Sequence, residues 1–165
     1  MTGLPTLDIL NRITDDIYLG NSSAAKNLSL LKSIAISHVL ICCSEVGPSF
    51  AETFIYKKLN IQETFDFNIG AYFAEAYDFI ESAINTDGRV LVYCMQGQSR
   101  SPTIVISYLI KKYGLTCRKA LKTVKHKHPI TEPNAGFIDQ LSDYEKIIKD
   151  SNPSMTCSVC KCLIQ

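Results

Sequence analysis

Along the chain, short continuous apolar runs alternate with stretches whose apolar residues recur every three or four positions, the signatures of buried strands and amphipathic helices. Ile13 to Leu19 forms a short β-rich run closed by the turn signal Gly20-Asn21. Ser22 to Lys32 reads as helix, and His38 to Cys43 as a strand buried on both faces. Phe54 to Ile61 is a further strand, with Lys57 and Lys58 marking partial exposure. Between Gly70 and Ile84 the residues Phe73, Ala76, Tyr77, Ile80 and Ile84 make one apolar stripe of a helix. Asp87-Gly88 turns the chain into Arg89 to Cys94, another buried strand. Helices are predicted over Pro102 to Lys112, ended by Tyr113-Gly114, over Thr116 to Lys127, and over Ala135 to Lys149 with Asn134 as cap. Strands interleaved with helices predict an α/β fold: a central, mainly parallel twisted sheet flanked by helices.

Length and charge narrow this picture. The 165 residues suit one ordinary domain. Seventeen Lys plus Arg against sixteen Asp plus Glu leave a net charge of +1, which argues against wholesale binding of nucleic acid. No stretch approaches the roughly 20 apolar residues of a membrane-spanning helix, and Met1 to Leu10 lacks the features of a secretory signal. Seven cysteines, an odd count with no regular framework, read as reduced thiols of a cytoplasmic protein. After Asp150 the composition shifts to Ser, Asn, Pro, Thr and Cys, so residues 1–150 are expected to form the domain and residues 151–165 a tail.

The chemistry is concentrated in Tyr93-Cys94-Met95-Gln96-Gly97-Gln98-Ser99-Arg100-Ser101-Pro102. A buried strand delivers Cys94, a five-residue loop follows, and a helix begins near Arg100, with Pro102 suited to its first turn. Backbone N–H groups of Met95 to Ser99 and the helix N-terminus are arranged to cradle an oxyanion. The same positive field favours a thiolate, which makes Cys94 a nucleophile. Arg100 offers a planar fork for two phosphate oxygens, Gly97 permits close approach, and Ser101 can donate a hydrogen bond to the sulfur. Cys-x5-Arg with Gly at the third loop position and a hydroxyl residue after Arg arises by chance in roughly one chain in a thousand of this composition.

This segment resembles the signature loop of the cysteine-dependent protein phosphatases, in particular the small dual-specificity phosphatases. Ile17-Tyr18-Leu19-Gly20-Asn21, His38-Val39-Leu40, Phe67-Asn68-Ile69-Gly70-Ala71-Tyr72-Phe73 and Pro133-Asn134-Ala135-Gly136-Phe137 with Gln140-Leu141 are similar to that family as well, so the likeness spans about residues 12–148. The resemblance implies a two-step hydrolysis of phosphotyrosine and phosphoserine or phosphothreonine in a protein substrate. Cys94 attacks phosphorus, Arg100 binds the phosphate, Ser101 assists the thiolate as leaving group, and water hydrolyses the cysteinyl-phosphate, with no metal and no cofactor. A phosphoprotein-binding relative with little or no turnover is the alternative.

Two positions depart from the family pattern. The general acid of the family is an Asp six residues before the position of Ile69; here that residue is Glu63, one methylene longer, and Asp66 in the same loop is the other candidate. Tyr93 stands where the family usually carries a His that buttresses the loop. Met95, Gln96, Gly97, Gln98 and Ser99 carry no charge, which favours protein phosphoesters over multiply phosphorylated inositol lipids. Lys125, His126, Lys127 and His128 read as a solvated basic cluster.

Cys162-Leu163-Ile164-Gln165 fits the C-a-a-X pattern of prenylation, with Cys157 and Cys160 as candidates for a second acyl group. A prenylated tail implies attachment at the cytosolic face of a membrane. Three tail cysteines without a fourth ligand do not make a zinc site.

Overall fold

The computed structural model describes residues 7–152. The tail cysteines Cys157, Cys160 and Cys162 therefore lie outside the described residues. Five strands, β1 (Leu10–Arg12), β2 (Ile17–Asn21), β3 (Ile36–Ile41), β4 (Ile55–Lys58) and β5 (Arg89–Cys94), form one sheet in the order β1-β2-β5-β3-β4. β1 runs antiparallel to β2 and every other pairing is parallel. The helices are α1 (Ser22–Ala25), α2 (Leu28–Ser33), α3 (Phe73–Ile84, preceded by a 3-10 turn over Ile69–Tyr72), α4 (Arg100–Tyr113), α5 (Cys117–Lys127) and α6 (Ala135–Ser151).

The central strands are apolar without alternation because both faces of the sheet are covered: Val90, Leu91 and Val92 of β5 are fully buried, as are Leu40 and Ile41 of β3. The chain leaves β2 in one direction along the sheet and returns from β4 to β5 in the other. Right-handed crossovers then put α1 and α2 on one face and α3 on the opposite face. α4 lies against β2 and β5 with α3, α5 and α6 around it. Its residues from Arg100 to Ile110 are all buried, apolar side chains alternating with the small polar Ser101, Thr103 and Ser107, and it stops at Gly114, whose φ of 63° forms a left-handed cap.

The structure departs from the sequence expectations in four places. The helix expected over Ser22 to Lys32 is two helices, because the Asn27 side chain accepts from Leu30 N–H at 3.0 Å and caps a second start. The strand expected from Ile13 begins only at Ile17, where Thr14 Oγ1 accepts from Ile17 N–H at 3.0 Å and forms a turn between β1 and β2. β1 itself is too short and too exposed to show a period. α4 starts at Arg100, two residues before Pro102.

Asn21 ties these parts together beside the end of β5, in register with Cys94. Its Oδ1 accepts from Ala24 N–H at 3.0 Å and Ile9 N–H at 3.2 Å, and its Nδ2 donates to Leu7 O at 2.9 Å. Asn21→Ala removes a helix cap and leaves buried backbone donors unpaired, and is expected to lower stability by about 1–3 kcal/mol in a urea melt. A change below about 0.3 kcal/mol would contradict that role.

Candidate active site

Cys94 ends β5 at the carboxyl edge of the sheet, between β2 and β3, where the chain direction switches and ligands of parallel sheets bind. It is 2% exposed, at the base of a cleft of about 470 Å³ also lined by Glu45, Glu63, Gln96, Ser99 and Arg100. Ser101 Oγ donates to its Sγ at 3.2 Å. The other described cysteines, Cys42, Cys43 and Cys117, are buried free thiols. Burial pushes Cys43 up to about 11, so it stays protonated at neutral pH.

The loop after Cys94 is held by its carbonyls. Met95 O accepts from Ser22 N–H at 3.2 Å, Gly97 O from His128 Nε2 at 2.7 Å, and Gln98 O from Glu132 N–H at 2.7 Å. In a trans peptide the C=O and the following N–H point in opposite directions. Anchoring these three carbonyls therefore turns the N–H groups of Gln96, Gln98 and Ser99 the other way, toward the cleft that all three residues line. Gly97 sits at φ +72°, and a Cβ there would lie 2.8 Å from Gly20 O, so both its conformation and its closeness to β2 require glycine.

Arg100 is 5% exposed and lies between two carboxylates, hydrogen-bonded to Glu45 and in a longer ion pair with Glu63. Its Nη1 donates to Glu45 Oε1 and Oε2 at 2.8 and 2.7 Å and to Ile61 O at 3.1 Å. Burial alone would lower the guanidinium pKa, but the Glu45 hydrogen bonds and the Cys94 sulfur outweigh it and raise it. In return Arg100 holds the Glu45 carboxyl below its usual range. The opposite edge differs. Nε is buried and makes no hydrogen bond among the described residues, although Glu63 Oε2 lies 3.3 Å away. A buried, misaligned donor on the Nε–Nη2 edge is an open fork for two oxygens of a tetrahedral anion.

The loop carrying Glu63 and Asp66 is positioned by the start of α6. Glu63 Oε1 accepts from Ser99 Oγ at 2.7 Å and from Asn134 Nδ2 at 2.8 Å. Gln140 clamps the loop's far end, donating to Phe67 O at 2.8 Å and accepting from Gly70 N–H at 2.9 Å. Gly136 lets the helix approach so closely that a Cβ would lie 1.9 Å from Phe65 O. Of the two candidate acids, Glu63 lines the cleft with Cys94 and Arg100, whereas Asp66 is exposed on the loop and does not line it.

A family model for the catalytic domain of dual specificity phosphatases matches residues 17–147. The chain belongs to the dual specificity phosphatases. This phosphatase is 44% identical over 140 residues to dual specificity protein phosphatase 1 of Arabidopsis thaliana, a match covering 85% of this chain and 71% of that one. Dual specificity protein phosphatase 1B of the same plant is 39% identical over 140 residues, covering 85% and 84%. Among solved structures, the human tyrosine phosphatase-like serine/threonine/tyrosine-interacting protein superposes with a TM-score of 0.80 at 32% identity, covering 84% of this chain and 96% of that one.

The structure of the phosphatase brings Cys94, Arg100, Ser101 and Glu63, all singled out from the sequence, to one place, together with three residues whose part in the site sequence reasoning missed. Glu45 lies in the loop that leaves β3 after Ile41, so its place at the carboxyl edge of a parallel sheet was an available signal. Asn134 is the expected cap of α6, accepting from Phe137 N–H at 3.0 Å, and in addition a partner of Glu63. His128 corrects the expected solvated basic cluster: it is fully buried. The stripe Cys117, Ala120 and Val124 of α5, continued by four residues, arrives at His128, and that spacing was the missed signal. Tyr93 packs into the core at 2% exposure, where burial raises its pKa, and its hydroxyl makes no hydrogen bond to the loop among the described residues.

Gly97→Ala is expected to abolish orthovanadate binding at concentrations that saturate the wild type while the protein still melts cooperatively. Retained binding would show that the loop does not need φ above zero at that position.

Proposed function

We propose that this phosphatase hydrolyses phosphotyrosine and phosphoserine or phosphothreonine of protein substrates through a cysteinyl-phosphate on Cys94. The observation that carries the reading is one cleft joining the Cys94 sulfur, hydrogen-bonded by Ser101, to the Nε of Arg100, which makes no hydrogen bond among the described residues. In the first step the thiolate attacks phosphorus, the ester P–O bond breaks, and protonated Glu63 gives its proton to the leaving oxygen. In the second step water attacks phosphorus, the Glu63 carboxylate takes its proton, and the S–P bond breaks to return the thiolate. Loop N–H groups and the Arg100 fork neutralise the equatorial oxygens in both steps.

Glu63 reaches this role from a resting position shared with Ser99, Asn134 and Arg100, and its extra methylene gives it the travel to leave them. The uncharged loop, together with Glu45, Glu63 and Glu132 around the cleft, supports singly phosphorylated protein side chains over polyanionic lipids.

Phosphate release across pH tests these assignments. Cys94→Ser is expected to abolish turnover. A general acid must be protonated in the first step, so kcat/KM falls as pH rises through its pKa. Glu63→Gln should remove that alkaline limb and lower kcat by about 10²- to 10⁴-fold on a phosphoserine peptide. The loss should be smaller on p-nitrophenyl phosphate, whose leaving group needs no proton. Asp66→Asn should behave as wild type; the reverse pattern would reassign the acid. A wild type that binds phosphopeptide without turnover would favour the non-hydrolysing alternative.

A further inference from the structure

We propose that His128 is the positioning residue that locks the phosphate loop in its anion-binding form, in place of a side chain at position 93. The proposal rests on the reading of the Cys94–Arg100 loop as the phosphate site.

His128 follows α5 and is buried completely, a costly place for an imidazole unless both nitrogens are paired. They are: Nε2 lies 2.7 Å from Gly97 O and Nδ1 lies 2.6 Å from Asn11 Oδ1 on β1. Its backbone is fixed as well. His128 N–H donates to Val124 O at 2.7 Å, and His128 O accepts from Thr131 N–H at 3.0 Å and Thr131 Oγ1 at 2.7 Å. The neighbouring Lys127 Nζ is itself bound to Ile13 O at 2.9 Å. The ring is a strut joining β1, the end of α5 and the loop.

Gly97 O can only accept, so the proton at that contact belongs to Nε2. Burial keeps the ring's pKa below its ordinary value against the opposing pull of Gly97 O, so the ring is neutral with its proton on Nε2, and this requires the Asn11 amide, whose O and N are told apart only by their hydrogen bonds, to turn its NH₂ group to Nδ1. The lock matters because of the residue it holds. Glycine crosses between backbone conformations with little steric penalty, so the Gly97–Gln98 peptide can rotate unless its carbonyl is tied. Rotation would turn Gln98 N–H out of the cleft and put a carbonyl oxygen where an anion should sit. Tyr93 does not prevent this, since its ring is in the core and its hydroxyl makes no hydrogen bond to the loop among the described residues.

The test compares His128→Leu, which fills the space without a donor, with His128→Gln, whose amide can replace the Nε2–H. His128→Leu should lose roughly 10- to 100-fold in both orthovanadate affinity and kcat/KM, as expected for loss of one preorganised donor. His128→Gln should recover most of that. A filler with a purely structural role would show no such rescue. In the wild type, imidazole ¹H–¹⁵N spectra should show a slowly exchanging proton on Nε2. A folded His128→Leu protein with wild-type affinity and kcat/KM would overturn the proposal, and so would a proton on Nδ1 facing Asn11 with none on Nε2. If His128→Leu does not fold, failure of His128→Gln to bind orthovanadate while folded would also overturn it. The tautomer is read without turnover, so a failure of the catalytic reading, seen as activity surviving Cys94→Ser, stays distinguishable.

Discussion

Backbone amides can face an anion only if the carbonyls joined to them face something else. The loop of this protein meets that constraint with three external donors, from Ser22 at the start of α1, from His128 after α5 and from Glu132 before α6. No loop side chain supplies a cation, so the site depends on peptide dipoles, the α4 N-terminus and one arginine. The donors preserve their orientation because they cost no reorganisation when charge arrives.

The same economy governs Arg100. A guanidinium at 5% exposure needs a counter-charge, and Glu45 hydrogen-bonds it on Nη1, so the cation is held in place while Nε makes no hydrogen bond among the described residues. A carboxylate on the Nε edge with good geometry would compete with phosphate. Glu63 stands at 3.3 Å without that geometry, which leaves the competition weak.

Most of the fold was legible because its periods are strong. β3 and β5 are continuous apolar runs, and α3, α5 and α6 carry stripes at helical spacing. The errors fall where a single polar side chain overrides propensity, as Asn27 does between α1 and α2, or where an element is too short to have a period, as β1 is. In the site, the residues singled out from sequence and brought together by the fold are those within one local segment, Cys94 through Ser101, plus Glu63, chosen by its distance from Ile69. Glu45, Asn134 and His128 are 55, 71 and 31 residues from the site residues they hold, and no local window of sequence shows such pairs.

The link from Asn11 through His128 to Gly97 carries a consequence for biosynthesis. The signature segment leaves the ribosome with its nucleophile and arginine already in place along the chain, but two of the three carbonyl anchors come from residues more than thirty positions later. Non-local contacts of this kind close late, after their loop entropy has been met. A nascent chain that has displayed Cys94 but not yet α5 and the start of α6 holds a reactive thiol without a phosphate cradle. Competence for phosphate therefore arrives in one step, when the last third of the domain docks onto its first strand.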